Sequence, residues 1–325
     1  MKRLGSQVCV ILLNWNGKKD TLECLESLKK VRYEPFQVVV VDNASSDGSI
    51  DAIRSKYPDL VILQTQENLG FAGGNNVGIR WALEKNFSWI FLLNNDTVVK
   101  EDVLQALLLA ASEKNAYLLG AKIYSYYDRE KIDHLGGFWR PKYAEFGSPA
   151  KGKKESDGDF TKMQKVDYVS GCAFFVHRSV FEKIGLLEPK FFLYWEETDF
   201  CFRAKRAGFA IWTAPKAHVY HKVSTSFTGG KPHMHYFWWR SRLLWIDRNC
   251  SRIEKRRLYR KIIFPELVKS LRHFFLKSLQ VIILLGLRKP SSEPREKARR
   301  YLAGLSGAFH YFCKKFGSGP NWILK

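Results

Sequence analysis

The sequence has no uninterrupted apolar stretch of the roughly 20 residues that a membrane-spanning helix needs. The nearest candidate, 267–287, is broken by three basic residues and a histidine. The apolar run 8–13 behind the basic N-terminus is short and ends at Asn14, so it does not predict a secretory signal. We therefore expect a cytoplasmic protein.

Cysteine is scarce, and the common nucleotide-binding signatures are missing. The six cysteines form no CxxC pair, which excludes the usual zinc and disulfide frameworks and indicates reduced thiols. Neither GxGxxG nor GxxxxGK[ST] occurs, so the sequence predicts neither a Rossmann dinucleotide site nor a P-loop.

Acidic residues are rare at the C-terminus. Residues 240–325 contain 21 Lys and Arg but 5 Asp and Glu, which gives +16 of the total net charge of +21. An apolar stripe at helical spacing over 262–287, with Lys269, Arg272 and Lys277 off the stripe, predicts a basic amphipathic helix on an anionic leaflet. The alternative is a helix packed on the rest of the protein.

The N-terminal half alternates apolar runs with helical spacing. Strands are predicted at 8–13, 37–41, 60–63 and 89–93, and helices at 18–30, 48–56, 72–85 and 101–112. This alternation predicts an α/β fold with an open, doubly wound, mainly parallel sheet. Such sheets bind ligands at the carboxyl ends of their strands.

Polar motifs follow those strands. Asp42 ends a fully apolar strand and could accept hydrogen bonds from a ribose or base, although the cluster behind it is equally typical of a helix N-cap. Asn94 and Asp96 offer short oxygen ligands suited to Mg²⁺ or Mn²⁺, or they form an ordinary Asx turn. The glycine-rich segment 68–78 leads into a helix and could approach a ligand with its backbone.

The segment 191–199 places three carboxylates behind a run of aromatic residues: Glu196, Glu197 and Asp199. Apolar neighbours raise a carboxylate's pKa, and adjacent like charges separate the values further. One carboxylate could then act as a general base, unless the segment is a solvated helix start. Trp195 could stack on a sugar or pack in a core, and Gly171 could admit an acceptor or mark a strand bulge.

Together and in order, these motifs resemble the inverting family-2 glycosyltransferases with the GT-A fold of nucleotide-diphospho-sugar transferases. The resemblance is strongest to bacterial rhamnosyltransferase-like members. It covers roughly residues 7–250 and rests on VVVVDNASSDGS, ENLGFAGGNNVGI, LLNNDT, VDYVSGCAFFVHR and FFLYWEETDFCFRAKRAGF. It implies a GT-A catalytic domain over 1–240, with nucleotide-sugar and acceptor halves dividing near 115, and a basic helical region over 241–325.

The resemblance also implies roles for particular residues. Asp42 would hold the nucleoside, Glu197 would be the general base, and a divalent cation, Mg²⁺ or Mn²⁺, would be bound by Asp96, Asn94 and His221. The metal motif is NxD here instead of DxD, and Glu stands where the family often has Asp. We predict further catalytic carboxylates at Glu196 and Asp199, acceptor contacts at Gly171 and Trp195, and donor contacts at Asn14, Asn16, Asp42, Asn43, Asp47, Gly74, Asn75 and Asn95.

The predicted function is metal-dependent, inverting transfer of a sugar such as rhamnose from a nucleotide-diphospho-sugar donor. The acceptor is a hydroxyl of a glycan or lipid-linked molecule in cell-surface polysaccharide synthesis, and the protein is peripheral on the cytoplasmic face of the membrane. One alternative is a nucleotide-binding module with a nucleic-acid-binding tail, although the basic residues surround an apolar stripe. Another is a sugar nucleotidylyltransferase, whose basic glycine-rich loop is missing after the first strand.

Overall fold

The computed structural model describes residues 7–222 and 230–323. The chain divides into two compact units. The first, called the sheet unit here, contains Met1–Phe138, Phe146–Pro189 and Glu196–Val223. The second, called the helical unit, contains Trp139–Glu145, Lys190–Trp195 and Ser224–Lys325.

One ten-stranded sheet organises the sheet unit. Four neighbouring parallel strands carry the polar motifs at their carboxyl ends: β1 (Val8–Asn14), β2 (Phe36–Asp42), β3 (Val61–Gln64) and β4 (Trp89–Asn94). The sheet continues through β5 (Thr97–Val99), β6 (Leu118–Ser125), β7 (Ile132–His134), β10 (Lys165–Val166), β11 (Ala173–His177) and β12 (Ile211–His221).

Along the main path from β3 to β6, one strand, β11, runs opposite to all the others. β11 lies antiparallel between β4 and β6, and β12 is parallel to β6. A separate pair of strands is formed by β8 (Phe138–Arg140) and β9 (Glu145–Gly147). The predicted open, doubly wound, mainly parallel α/β sheet is confirmed.

Helices cover both faces of the large sheet because successive strand residues point to opposite sides. Along β1, Val8, Val10 and Leu12 enter one core while Cys9 and Ile11 enter the other. The first core is covered by α1 (Lys18–Leu28), α2 (Ser49–Lys56) and α4 (Val103–Lys114). The second is covered by α3 (Gly70–Glu84), α5 (Arg178–Ile184) and α6 (Glu196–Arg206).

Glycines let α3 lie close to the sheet. A Cβ atom at Gly74 would lie 2.5 Å from Leu13 Cδ1, and one at Gly78 would lie 2.6 Å from Ile11 Cγ2. Both distances are too short for real carbon atoms, so a larger residue would push the helix outward. Gly74, predicted as a donor contact, therefore faces strand β1 and serves helix packing.

Helices dominate the helical unit. They are α7 (Pro232–Asn249), α8 (Arg252–Leu258), α9 (Phe264–Gly286) and α10 (Ser292–Phe312). α9 confirms the predicted amphipathic helix, and none of its 23 residues is fully buried. In the described parts of the chain, no helix combines the length and apolar character needed to cross a membrane.

Candidate active site

Hydrogen bonds join the loops that follow β1 and β2. Buried Asn14 donates from Nδ2 to Asp42 Oδ1 at 2.7 Å, and its Oδ1 accepts from Thr21 Oγ1 at 2.8 Å. The second Asp42 oxygen accepts from the backbone N–H of Ser45 at 3.0 Å. Asn14 and Asp42, both predicted to bind the nucleotide-sugar donor, are thus brought together at adjacent strand ends.

Two residues predicted to bind the nucleotide-sugar lie on the exposed rim of this network. Asn16 Oδ1 accepts from Ser46 N at 2.7 Å. Asp47 Oδ2 accepts from Lys18 N at 3.0 Å, at the first residue of α1. Backbone N–H groups at a helix start favour a negative charge, so Asp47 stabilises α1 from the neighbouring loop.

Three other residues predicted to bind the nucleotide-sugar make hydrogen bonds within the protein through their side-chain amides. Asn43 Oδ1 accepts from Leu69 N at 3.0 Å, which ties strand β2 to the loop before α3. Asn75 Nδ2 donates to a carbonyl one turn earlier in α3 at 2.9 Å. Asn95 Nδ2 donates to Thr21 Oγ1 at 2.8 Å. These hydrogen bonds hold the loops around the site in place.

A histidine lies between two carboxylates at the end of β12. His221 Nε2 is 3.2 Å from Asp96 Oδ1, and His221 Nδ1 is 3.4 Å from Asp133 Oδ2. His218 makes a different contact, from Nε2 to the Pro215 carbonyl at 3.1 Å. The structure therefore brings Asp96 and His221 together, as their predicted shared role requires.

Opposing effects set the charge of His221. Burial lowers its pKa, but the neighbouring Cys172, Asp133 and Asp96 outweigh burial and raise the pKa well above its ordinary value of 6.5. In the absence of a cation, a protonated His221 can therefore bridge the two carboxylates. A bound cation would replace that proton, because a metal ligand must offer a free lone pair.

The Asp96–His221 pair fits a divalent cation that keeps several non-protein ligands. Mg²⁺ and similar ions bind through one or two side chains and fill the remaining positions with water and phosphate oxygens. Within 7–222 and 230–323 no group of three or more His, Cys, Asp or Glu side chains could hold a metal. The backbone carbonyl of Asn94 accepts a hydrogen bond from Thr97 Oγ1 at 2.6 Å. No described contact joins the Asn94 side chain to Asp96 or His221.

Two buried carboxylates open helix α6. Glu196 and Glu197 each have one oxygen, Oε2, that is buried without a hydrogen-bond partner among the described residues. Burial raises the pKa of both groups, and the neighbouring Glu197 raises that of Glu196 further. Backbone N–H groups of Glu197 and Thr198 only partly offset this effect at Glu197. A carboxylate in this setting is a stronger base than one in water.

The backbone before these carboxylates is strained. Phe192, Tyr194 and Trp195 have φ angles of +60°, +65° and +72°, a region that costs a bulky residue on the order of 1–3 kcal/mol. Such strain persists where the surrounding structure fixes the chain, often beside an active site.

Gly171 is close to Glu197, and the next residue is close to His221. A Cβ atom there would be 3.2 Å from the Phe71 ring and 3.6 Å from Glu197 Cβ. The next residue, Cys172, is close enough to His221 to affect its pKa. The short segment 171–172 thus borders Glu197 on one side and the Asp96–His221 pair on the other.

Two residues predicted to belong to the site make other contacts within the protein. Asp199 is fully buried and accepts from Arg203 Nε at 2.9 Å, and Arg203 continues to the Ile184 carbonyl at 2.7 Å. Two residues along a helix are about 200° apart, so Asp199 faces away from Glu197 and its predicted catalytic role is not supported. Trp195 is 7% exposed, with the Trp245 ring centroid 5.8 Å away, so core packing accounts for it.

The sequence motifs missed two residues that contact the pair. Asp133 lies beside His221, as described above. Lys222 donates from its backbone N–H to the Asp96 carbonyl at 3.0 Å, while its Nζ lies 2.5 Å from Asp20 Oδ1. Its position next to His221 was the one available signal for Lys222, and Asp133 had none.

Comparison with known proteins defines the class. The fold described above is shared with solved glycosyltransferases. The chain belongs to glycosyl transferase family 2, whose model matches residues 9–185. The family resemblance of the motifs is therefore confirmed.

Two named relatives show how far the similarity extends. A low-salt glycan biosynthesis hexosyltransferase, Agl10 of Haloferax volcanii, is 29% identical over 62% of this chain and 62% of its own. An N-acetylglucosaminyl-diphospho-decaprenol L-rhamnosyltransferase of Mycobacterium tuberculosis is 27% identical over 69% of this chain and 83% of its own. The chain thus spans less than two thirds of the length of Agl10.

Solved structures support the GT-A fold. GalNAc-T7 with UDP, GalNAc and Mn²⁺ has a TM-score of 0.60 at 14% identity, over 74% of this chain and 48% of that one. The mannosyltransferase PcManGT of Pyrobaculum calidifontis with GDP-Man and Mn²⁺ has a TM-score of 0.56 at 15% identity, over 95% and 87%. At such low identity these similarities concern the fold alone.

Proposed function

We propose that the chain is a metal-dependent inverting glycosyltransferase. It moves a sugar, with rhamnose the first candidate, from a nucleotide-diphospho-sugar to a hydroxyl of a glycan or lipid-linked acceptor in cell-surface polysaccharide synthesis. The observation that carries this proposal is that Glu197 and the Asp96–His221 pair border the same backbone segment, 171–172. The names of the relatives, a hexosyltransferase and a rhamnosyltransferase, support the sugar class.

Glu197 supplies the general base in this proposal. Its carboxylate takes the proton of the acceptor hydroxyl, and the acceptor oxygen forms a bond to the anomeric carbon. The bond from that carbon to the phosphate oxygen breaks on the opposite side, so one displacement inverts the configuration. Gly171 has no side chain, and Phe71 and Glu197 pack closely against it; we propose that its backbone borders the acceptor.

Asp96 and His221 would hold a divalent cation on the leaving-group side. A bound cation supplies electrostatic stabilisation of the negative charge that develops on the departing diphosphate. The two side chains are 11% and 15% exposed, so the charge would be neutralised in a setting with little water, where electrostatic interactions are strong.

The donor would lie across the ends of β1 to β3. Asp42 is placed to accept from the nucleoside, and the exposed Asn16 and Asp47 border the same loops. An open cavity of about 670 Å³ lined by Gln64, Thr65, Gln66, Glu67, Leu69 and Val77 adjoins this network. We propose that residues to about 115 bind the nucleotide-sugar and that 116–240 serve the acceptor and the chemistry.

The direct test is a nucleotide-sugar panel, with thermal shift and nucleoside-diphosphate release measured with and without Mg²⁺ or Mn²⁺. We expect one donor to stabilise the protein in a cation-dependent way. Asp96→Ala should lose that dependence, since it removes the one carboxylate of the NxD turn. Equal donor affinity of wild type and variant, with and without the cation, would refute the metal assignment.

An anionic membrane surface is the proposed partner of α9, on the cytoplasmic face. Val268, Phe275 and Ile282 lie on one side of this helix and are 66%, 61% and 65% exposed. The opposite side packs on α10, where the rings of His273 and Tyr301 stack at 5.3 Å. The helix therefore presents its apolar stripe outward with basic residues beside it, as a helix lying in a charged interface does.

Family membership decides against both alternatives. A nucleotide-binding module with a nucleic-acid-binding tail, or a sugar nucleotidylyltransferase, would not match the family model over 9–185. Retention of the protein on DNA but not on anionic vesicles would reopen the first alternative.

A further inference from the structure

We propose that Asp133 is the positioning residue of the Asp96–His221 pair. Its carboxylate orients the imidazole of His221 so that Nε2 is the nitrogen presented beside Asp96. This inference rests on the proposed function, in which the pair holds a divalent cation. Asp133 lies 88 residues before His221 in the chain, and none of the glycosyltransferase-like motifs includes it.

A change of strand register directs Asp133 toward His221. Strand β7 runs antiparallel to β6, and Ile123 and Tyr124 of β6 pair with the residues on either side of Asp133. Two successive residues therefore oppose three, and Asp133 is the extra residue of a bulge. Bulges of this kind redirect a side chain and are common beside active sites.

Each imidazole nitrogen of His221 has a different carboxylate neighbour. A neutral imidazole carries one N–H. If Nε2, which lies 3.2 Å from Asp96 Oδ1, binds a cation, that proton is carried by Nδ1, 3.4 Å from Asp133 Oδ2. Metal-binding histidines almost always donate their other N–H to such an acceptor, which fixes the ring and makes the ligand more basic.

The arrangement is specific to one histidine. Of the histidines in the described ranges, only His221 has a carboxylate within ion-pair distance of both ring nitrogens. His218, on the same strand, has a backbone carbonyl as its acceptor. Asp133 is 21% exposed and is also approached by Lys151 Nζ at 3.8 Å, so it is held in a largely enclosed position.

The test is Mn²⁺ binding to the full chain, with free Mn²⁺ counted by electron paramagnetic resonance. Asp133→Ala should weaken Mn²⁺ binding by roughly 10- to 100-fold, the usual effect of losing such a partner. Asp133→Asn retains an oxygen acceptor and should lose less. The matched control is Asp128→Asn, since Asp128 is an exposed carboxylate before β7 that pairs with Lys131 at 2.8 Å; it should leave binding unchanged.

A second measurement separates orientation from stability. Nitrogen-15 spectra of the protein with diamagnetic Mg²⁺ should show His221 protonated on Nδ1 in the wild type, with an N–H that exchanges with water more slowly than in Asp133→Ala. Circular dichroism checks that the variant folds, and if it does not, Asp133→Asn decides on both measurements.

The outcomes distinguish this inference from the proposed function. Wild-type Mn²⁺ affinity in the Asp133 variants, together with lost affinity in Asp96→Ala, would overturn the positioning role and leave the metal pair in place. Unchanged affinity in Asp96→Ala and His221→Ala as well would overturn the pair itself, and this inference with it.

Discussion

Replacing Glu197 by glutamine tests the central chemical assignment. The amide keeps the shape of the carboxylate but cannot accept the acceptor's proton. General base catalysis typically contributes about 10²–10⁴-fold, which corresponds to about 2.7–5.4 kcal/mol in the activation free energy. Donor affinity should remain, because in the proposed arrangement Glu197 faces the acceptor and the donor binds at the ends of β1 to β3.

The direction in which activity changes with pH tests the same assignment independently. The base acts only when ionised, and burial holds the pKa of Glu197 above its ordinary value of 4.5. Activity should therefore fall as the pH is lowered through this raised pKa, at a higher pH than for a carboxylate in water. At saturating Mg²⁺ or Mn²⁺, so that protonation of His221 does not limit cation binding, this acid limb should disappear from the residual activity of Glu197→Gln.

The assay is release of nucleoside diphosphate in the presence of acceptor, with donor binding followed by calorimetry. Glu196→Gln is the matched control, because it removes the neighbouring buried carboxyl and leaves Glu197 in place. A loss of less than about threefold in Glu197→Gln, set against the factor expected for a base, would refute the assignment. A larger loss in Glu196→Gln would move the role to that residue.

Three further predictions concern packing and attachment. Gly78→Ala should lower the free energy of unfolding by about 1–3 kcal/mol, since overpacking against strand β1 exceeds the gain of about 1 kcal/mol in helix propensity; urea unfolding that shows a more stable variant would contradict this. Asp199→Asn should cost about 3 kcal/mol by removing the buried carboxylate charge that pairs with Arg203, with Mn²⁺ affinity unchanged; a changed affinity in the folded variant would return Asp199 to the site. Flotation with anionic vesicles at low salt should weaken by roughly 1 kcal/mol per removed charge, and with neutral vesicles much less, when serine replaces Lys269, Arg272 and Lys277. Wild type that floats with neither vesicle would end the membrane proposal.

Much of the fold could be predicted because its signals are local. The apolar run of β1 and the helical spacing of α1 each lie within a dozen residues, and the structure places both within two residues of the predicted bounds. The polar motifs had to meet, since parallel strands end at a common edge. Asn14 and Asp42 occupy the same register position in β1 and β2.

The helical phase of α6 and the pairing of amides could not be deduced in the same way. Glu197 and Asp199 are two residues apart, and only the contact with Arg203 shows which one faces the core of the fold. Likewise, Asn43 and Asn95 follow strands just as a ligand-binding residue would, but neighbouring loops use their amides.

The sequence by itself therefore determined the sheet, the order of its strands' polar ends and the basic amphipathic character of α9, because periodicity and charge are properties of neighbouring residues. The tertiary structure alone decided that Asp133 meets His221 and that Glu197 keeps a buried oxygen with no hydrogen-bond partner within 7–222 and 230–323. Those facts depend on a bulge in β7 and on the burial of a helix start, which arise only when segments far apart in the chain pack together.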